Sequence, residues 1–300
     1  MPSSLYPFAS HELDRDGLRY HYLDEGTGDP VLMLHGNPSW SFYYRELVTS
    51  LRADHRAIVP DHIGMGLSDK PGDDRYSYRL QSRIDDVERL VASLALTRKL
   101  TLVLHDWGGM IGMGYAARHP ERVARIVLLN TAAFHLPDEM RVPAALRIVR
   151  DSSLGALGVR GMNAFARGAA MIGCKKKRLS PEEREAYLAP YDSWANRIAT
   201  LRFVEDIPLV PSDPSYALVS EIEASLPRFA KTPVLICWGE LDFVFTPQVL
   251  QSWIARWPHA EVHRFPDCGH YVLEDAAVEI AALVRAFLAA HPIVAEASTA

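Results

Sequence analysis

Asp106 is the side chain in this sequence best placed to act as a nucleophile. It lies in Val103-Leu104-His105-Asp106-Trp107-Gly108-Gly109-Met110, where a short apolar run of strand character stops at a sharp turn and a helix of small residues begins. A strand–turn–helix of this kind thrusts one side chain out at the end of the strand. That side chain is usually a serine hydroxyl. Here it is a carboxylate, and the chain contains no G-x-S-x-G. A carboxylate attacks carbon to form an ester, which divides one difficult step into two easier ones. Leu104 stands where such turns usually carry glycine, whereas Gly108 is in place. The plain alternative is an Asp that caps the start of a helix.

An ester on Asp106 needs a base to activate the water that hydrolyses it. His270, in Asp267-Cys268-Gly269-His270-Tyr271, follows a strand-like stretch and precedes the last helix, so its loop reaches the same sheet edge. The base in turn needs an acid to orient it. Trp238-Gly239-Glu240-Leu241-Asp242 ends the preceding strand and offers Asp242, with Glu240 as the neighbouring alternative. The end of the 124–130 strand holds Asn130, which supplies no charge. The order nucleophile, acid, histidine is that of the α/β-hydrolase fold. Two donors complete the set: the amide of Asn37 in His35-Gly36-Asn37-Pro38 and the indole N–H of Trp107, both placed to meet an anion leaving the substrate carbon. Core packing for Trp107 and loop capping for Asn37 are the competing explanations.

The elements that must hold these residues follow from hydrophobic periodicity. Continuous apolar runs begin at Val31, Ala57, Leu100, Ile126 and Val234, each ended by polar or glycine residues, as in strands buried on both faces. Residues 18–23 alternate, and 260–265 is strand-like. Helical spacing marks 79–94, 110–118 and 276–290. Alternating strands and helices predict a mostly parallel sheet with helices on both faces. From 135 to 214 no buried-strand run occurs, and the sequence reads as an inserted helical cap, leaving 1–134 and 215–300 as the α/β core. The run Lys175-Lys176-Lys177-Arg178 reads as a solvated helix end, and Ile293 to Ala300 as a frayed tail.

Composition narrows the function classes. The 300 residues are 48 % hydrophobic and 23 % charged, which excludes disorder as the main state. A net charge of −5 gives no basic excess for nucleic acid or a dedicated anionic-membrane protein. Cys174, Cys237 and Cys268 lack CxxC spacing, so neither a disulfide framework nor a zinc site is expected; no metal or cofactor is called for. No secretion signal and no run of transmembrane length is seen.

The stretches HGNPSWSFYYREL, VPDHIGMGLSDKP, HDWGGMIG, WGELD and GHYVLED resemble the haloalkane dehalogenase group of α/β-hydrolases. The resemblance implies that Asp106 displaces a halide, that Asn37 and Trp107 hold it, and that His270, oriented by Asp242, activates the hydrolytic water. The acid after the Trp-Gly strand, with Asn in the HGN loop, is similar to the third subfamily of that group. DHIGMGLSDKP, DWGGMIG, LLNTAAF, APYDSWANRIATLRF and EDIPL are similar to one branch of the lineage, the β-lactone decarboxylases of bacterial long-chain olefin biosynthesis. Most dehalogenases carry DWGGP or DWGGA where Met110 stands here. This branch implies conversion of a cis-disubstituted β-lactone to a cis-olefin and carbon dioxide, with attack at either the carbonyl or the C–O carbon. It also implies a hydrophobic small-molecule substrate and a cytoplasmic pathway, with assembly alongside the other olefin-forming enzymes open. An apolar pocket is expected from Phe165, Met171, Ile172, Leu201 and Phe203. Haloalkane dehalogenase is the alternative function. An epoxide hydrolase would need cap hydroxyls, for which Tyr187 and Tyr191 are available, and a binding protein on this fold would have lost a catalytic member.

Overall fold

A computed structural model describes residues 4–137 and 142–293. Residues 294–300 of the expected tail and 138–141 of the expected cap lie outside the described residues. Eight strands form one sheet: β1 (His11–Asp14), β2 (Arg19–Glu25), β3 (Asp29–Leu34), β4 (His55–Pro60), β5 (Leu100–Asp106), β6 (Val123–Thr131), β7 (Val234–Gly239) and β8 (Glu261–Phe265). Their order is β1-β2-β4-β3-β5-β6-β7-β8. β1 and β2 are antiparallel to their neighbours, and the rest run parallel. The carboxyl ends of β3, β5, β6 and β7 therefore lie along one edge, where ligands bind in open α/β sheets.

Strand alternation explains the continuous apolar runs. Leu32, Leu34, Leu102, Leu104, Ile126, Leu128 and Ile236 pack on one face. Val31, Met33, Val103, Val127, Leu129 and Leu235 pack on the other. Each fully buried aliphatic side chain contributes about 1.5–3 kcal/mol relative to exposure. Helices α1 (Arg45–Leu51), α2 (Leu80–Ser93) and α3 (Trp107–Arg118) lie between the early strands. Between β6 and β7 the described residues contain no strand. They form α4 (Ala144–Asp151), α5 (Ser153–Ala156), α6 (Ala164–Ile172), α7 (Pro181–Leu188), α8 (Ile198–Glu205) and α9 (Tyr216–Ser225), the last packing on α3. Then come α10 (Pro247–Arg256), α11 (Val272–Asp275) and α12 (Ala277–Ala290).

Two expectations differ in detail. α3 begins at Trp107, three residues before the periodicity suggests, because the helix starts directly after Asp106. β1 was not foreseen: its four residues are only half-buried on an edge, so they leave little apolar signal.

Candidate active site

Asp106 ends β5 with φ 51° and ψ −125°, a conformation non-glycine residues rarely adopt. The register with β6 shifts between His105 and Asp106, and the Thr131 hydroxyl donates to the Asp106 carbonyl oxygen. Tight packing fixes this turn: a Cβ on Gly108 would overlap the Leu34 carbonyl oxygen, and one on Gly36 would overlap the Asp106 carboxylate. Asp106 precedes α3 but its side chain makes no capping bond to that helix. Its Oδ1 instead accepts the Asn37 backbone N–H at 2.7 Å. Burial pushes its pKa up, and His270 and the backbone amides of Asn37 and Trp107 act against that rise.

His270 Nε2 lies 3.7 Å from Asp106 Oδ2, and its Nδ1 lies 2.8 Å from Asp242 Oδ2. Asp106, His270 and Asp242 are 7 %, 5 % and 4 % exposed, so the three groups meet in a site largely shielded from water. Burial opposes charging of the imidazole, but Asp242, by charge and by hydrogen bond, and then Asp106 outweigh it and hold His270 above the ordinary imidazole value. Nδ1–H pointing at Asp242 leaves Nε2 facing Asp106. Glu240, the alternative acid, pairs instead with Arg264.

Three supports of this arrangement carried no signal that local sequence reading could use. Asn130, dismissed as an acid, donates Nδ2–H to Asp242 Oδ2 at 3.0 Å and to the Gly239 carbonyl at 2.9 Å, and accepts Gly239 N–H at 2.8 Å. Val244 N–H donates to Asp242 Oδ1 at 2.7 Å. His105, kept neutral by burial, donates Nε2–H to the His270 carbonyl at 2.9 Å and stacks on Tyr43. The loop bearing His270 is tied down further by Asp275, whose carboxylate accepts Gly269 N–H at 2.8 Å.

Asn37 and Trp107 flank the nucleophile, at 7 % and 8 % exposed. Asn37 donates one amide hydrogen to the Thr200 carbonyl on α8 at 3.0 Å, which leaves the second for an anion. Trp107 packs edge-on against Phe203 of α8, with ring centroids 5.4 Å apart. The Arg83 guanidinium sits 3.7 Å above the Phe203 ring and is ion-paired with Asp206 at 2.9 Å.

The expected apolar lining needs correction. Leu201 and Phe203 are buried and Phe165 is partly so. Met171 and Ile172, 68 % and 46 % exposed, face solvent, because α6 turns Ala166 and Ala170 inward instead. Tyr187 and Tyr191 direct their hydroxyls to Glu274 and to the Ser39 carbonyl, so both are committed away from the nucleophile. A separate surface cleft of about 620 Å³ is lined by none of the expected site residues, and its Arg79, Arg150 and Arg202 are each paired with carboxylates.

Chemically, the site offers a pinned, buried carboxylate with one oxygen facing an imidazole, and donors beside it. Residues 29–277 match the family model described as the alpha/beta hydrolase fold. The chain is 58 % identical to a cis-3-alkyl-4-alkyloxetan-2-one decarboxylase from Shewanella oneidensis, over 96 % of this chain and 91 % of that protein. It is 47 % identical to the protein of the same name from Xanthomonas campestris pv. campestris, over 96 % and 98 %. The haloalkane dehalogenase DatA from Agrobacterium tumefaciens C58 superposes with a TM-score of 0.85 at 25 % identity, covering 97 % of this chain and all of that one.

Proposed function

The chain belongs to the α/β-hydrolase fold family, and from that premise we propose that it decarboxylates cis-3,4-dialkyl β-lactones (oxetan-2-ones) to cis-olefins. The observation that carries this reading is the 58 % identity to the Shewanella decarboxylase over 96 % of this chain. Asp106 is the nucleophile, His270 and Asp242 complete the triad, and Asn37 and Trp107 hold the anion. Residues 135–214 form a cap over them.

The hydrogen bonding of Asp106 favours one of the two ring carbons. Attack on a carbonyl needs donors for the oxyanion it creates. Here the Asn37 backbone N–H is taken by Asp106 Oδ1, which leaves Oδ2 to act as the nucleophile. Asp106 Oδ2 attacks the ring carbon that bears oxygen, its C–O bond breaks, and the former lactone acyl group becomes a carboxylate. The electron pair of the C–CO₂⁻ bond then forms the double bond as the ester oxygen returns to Asp106. Olefin and carbon dioxide leave, and no water is consumed. Inversion in the first step followed by anti elimination in the second retains the cis geometry. His270, held above its ordinary pKa, stabilises the returning carboxylate charge.

The test is product analysis with a long-chain cis-β-lactone and with 1,2-dibromoethane side by side. Equal amounts of cis-olefin and carbon dioxide from the lactone, at a rate well above bromide release, is the expected result. Bromide release without any olefin would replace this reading with the dehalogenase one.

A further inference from the structure

The net charge of −5 conceals a strong asymmetry: residues 142–181 hold eight Arg or Lys and one Asp. The exposed large apolar side chains gather in the same segment. Leu154, Leu157, Met162, Met171 and Ile172 are all at least 46 % exposed. Scattered single apolar residues on a surface need no explanation, but several exposed in one basic segment do.

Contacts place part of this surface directly over the His270 loop. The Gly173 carbonyl accepts Tyr271 N–H at 2.9 Å. The Asp275 carboxylate accepts the backbone N–H groups of Lys175, Lys176 and Lys177 at 2.8, 3.0 and 3.2 Å, besides that of Gly269. At the same loop, Leu241 N–H donates to the Cys268 carbonyl at 2.9 Å, and the Phe243 ring lies 6.3 Å from that of His270. Leu241 and Phe243 are 49 % and 40 % exposed. Met171 and Ile172, beside Gly173, and Leu241 and Phe243 thus adjoin the same loop, as does the basic run through Asp275. Lys176 is ion-paired with Asp267 and Glu279, and Glu240 with Arg264. Lys175, Lys177 and Arg178 make no ion pair among the described residues, which leaves three cations beside the loop for an anionic partner.

We infer that this face docks onto an anionic lipid surface, with Met171, Ile172, Leu241 and Phe243 entering the headgroup layer and Lys175, Lys177 and Arg178 meeting lipid phosphates. The inference rests on the dialkyl-lactone reading for its purpose: a substrate with two long alkyl chains partitions into lipid, and docking brings the His270 side of the site to it. Apolar insertion and cation–headgroup attraction act together in peripheral binding. The binding is therefore reversible and sensitive to salt.

The full chain is sedimented with vesicles of phosphatidylcholine alone or mixed in equal parts with phosphatidylglycerol, at low and high salt. Binding to the anionic vesicles at low salt, weakened by high salt and by removal of phosphatidylglycerol, is the expected result. The triple variant K175E/K177E/R178E should lower the partition coefficient on the order of 100-fold, and M171S/I172S should also lower it. Both variants should turn over a short-chain, water-soluble cis-β-lactone at the wild-type rate, since none of these side chains belongs to the proposed catalytic set. Wild-type protein that stays in the supernatant with anionic vesicles at low salt overturns the inference, even if it binds an acidic protein instead. So does a triple variant that sediments like the wild type. Vesicle binding is read without substrate, so a failure to convert any lactone would overturn the decarboxylase reading alone.

Discussion

Asp242→Asn exchanges one oxygen for an NH₂ at nearly constant volume, in a place where every neighbour is a donor. Asp242 Oδ2 accepts from His270 Nδ1–H at 2.8 Å and from Asn130 Nδ2–H at 3.0 Å, and Oδ1 accepts from Val244 N–H at 2.7 Å. An amide keeps only one acceptor. Whichever way it turns, its NH₂ meets either Val244 N–H or the His270 and Asn130 donors. One buried donor left unpaired costs about 1–3 kcal/mol of stability. If the NH₂ faces His270, the imidazole must carry its proton on Nε2, toward Asp106, which is the wrong tautomer for a base. A comparable exchange in a serine-protease triad lowers kcat by about 10⁴, and a general base is worth roughly 10²–10⁴. A fall of about 10² to 10⁴ is therefore expected in hydrolysis of the ester that 1,2-dibromoethane leaves on Asp106, the step in which His270 activates water, whereas olefin formation, which consumes no water, falls less. Loss of the Asp242 charge also lets burial pull the His270 pKa down. In the wild type this pKa is raised, so His270 stabilises the fold fully below the unfolded imidazole value of about 6.5, and that contribution fades as the pH rises through the folded value. The variant should show a smaller gain in stability on acidification through this window. Steady-state bromide release from 1,2-dibromoethane, thermal melts across pH and an NMR titration of His270 measure the three effects. A variant within roughly tenfold of wild-type steady-state bromide release, with an unchanged histidine titration, would refute the assignment of Asp242.

Asp106→Ala should abolish olefin formation while leaving a folded protein by circular dichroism, because covalent catalysis has no substitute nucleophile and the side chain adds little packing. Turnover near wild type in that variant removes Asp106 from the mechanism. His270→Ala should separate the two substrates. With 1,2-dibromoethane the ester on Asp106 can leave only by hydrolysis, so mass spectrometry should find the Asp106 peptide alkylated. With the lactone, decarboxylation frees Asp106 without water, and olefin should still form at a reduced rate; an unmodified peptide with the dibromide, despite wild-type bromide release, contradicts ester formation. Gly108→Ala should cost about 1–3 kcal/mol, read as a lower denaturant midpoint, because its Cβ collides with the Leu34 carbonyl rather than with a side chain that can move.

Much of this protein is written locally. Apolar runs such as Val31–Leu34 and Leu102–Leu104 report a sheet covered on both faces, because alternate residues of one strand enter different cores. The turn residues after these runs report where strands end, and in a parallel sheet those ends share an edge. The types of chemistry at that edge were therefore legible: a carboxylate at the end of β5, an acid after β7 and a histidine after β8.

What tertiary structure alone decided is which of these groups meet, and how. Asp242 and Glu240 stand two residues apart in the same turn, yet one bonds His270 and the other Arg264. Asn130, 112 positions from Asp242, orients that acid, and Asn37 bonds Asp106 through its backbone and α8 through its side chain. α6 could have turned Met171 and Ile172 toward the site, but packing turned Ala166 and Ala170 inward. The physical reason is range. Burial and turn chemistry act over a few residues and leave a periodic trace, whereas a hydrogen bond between residues a hundred positions apart depends on sheet order, twist and register, which only the packed molecule fixes.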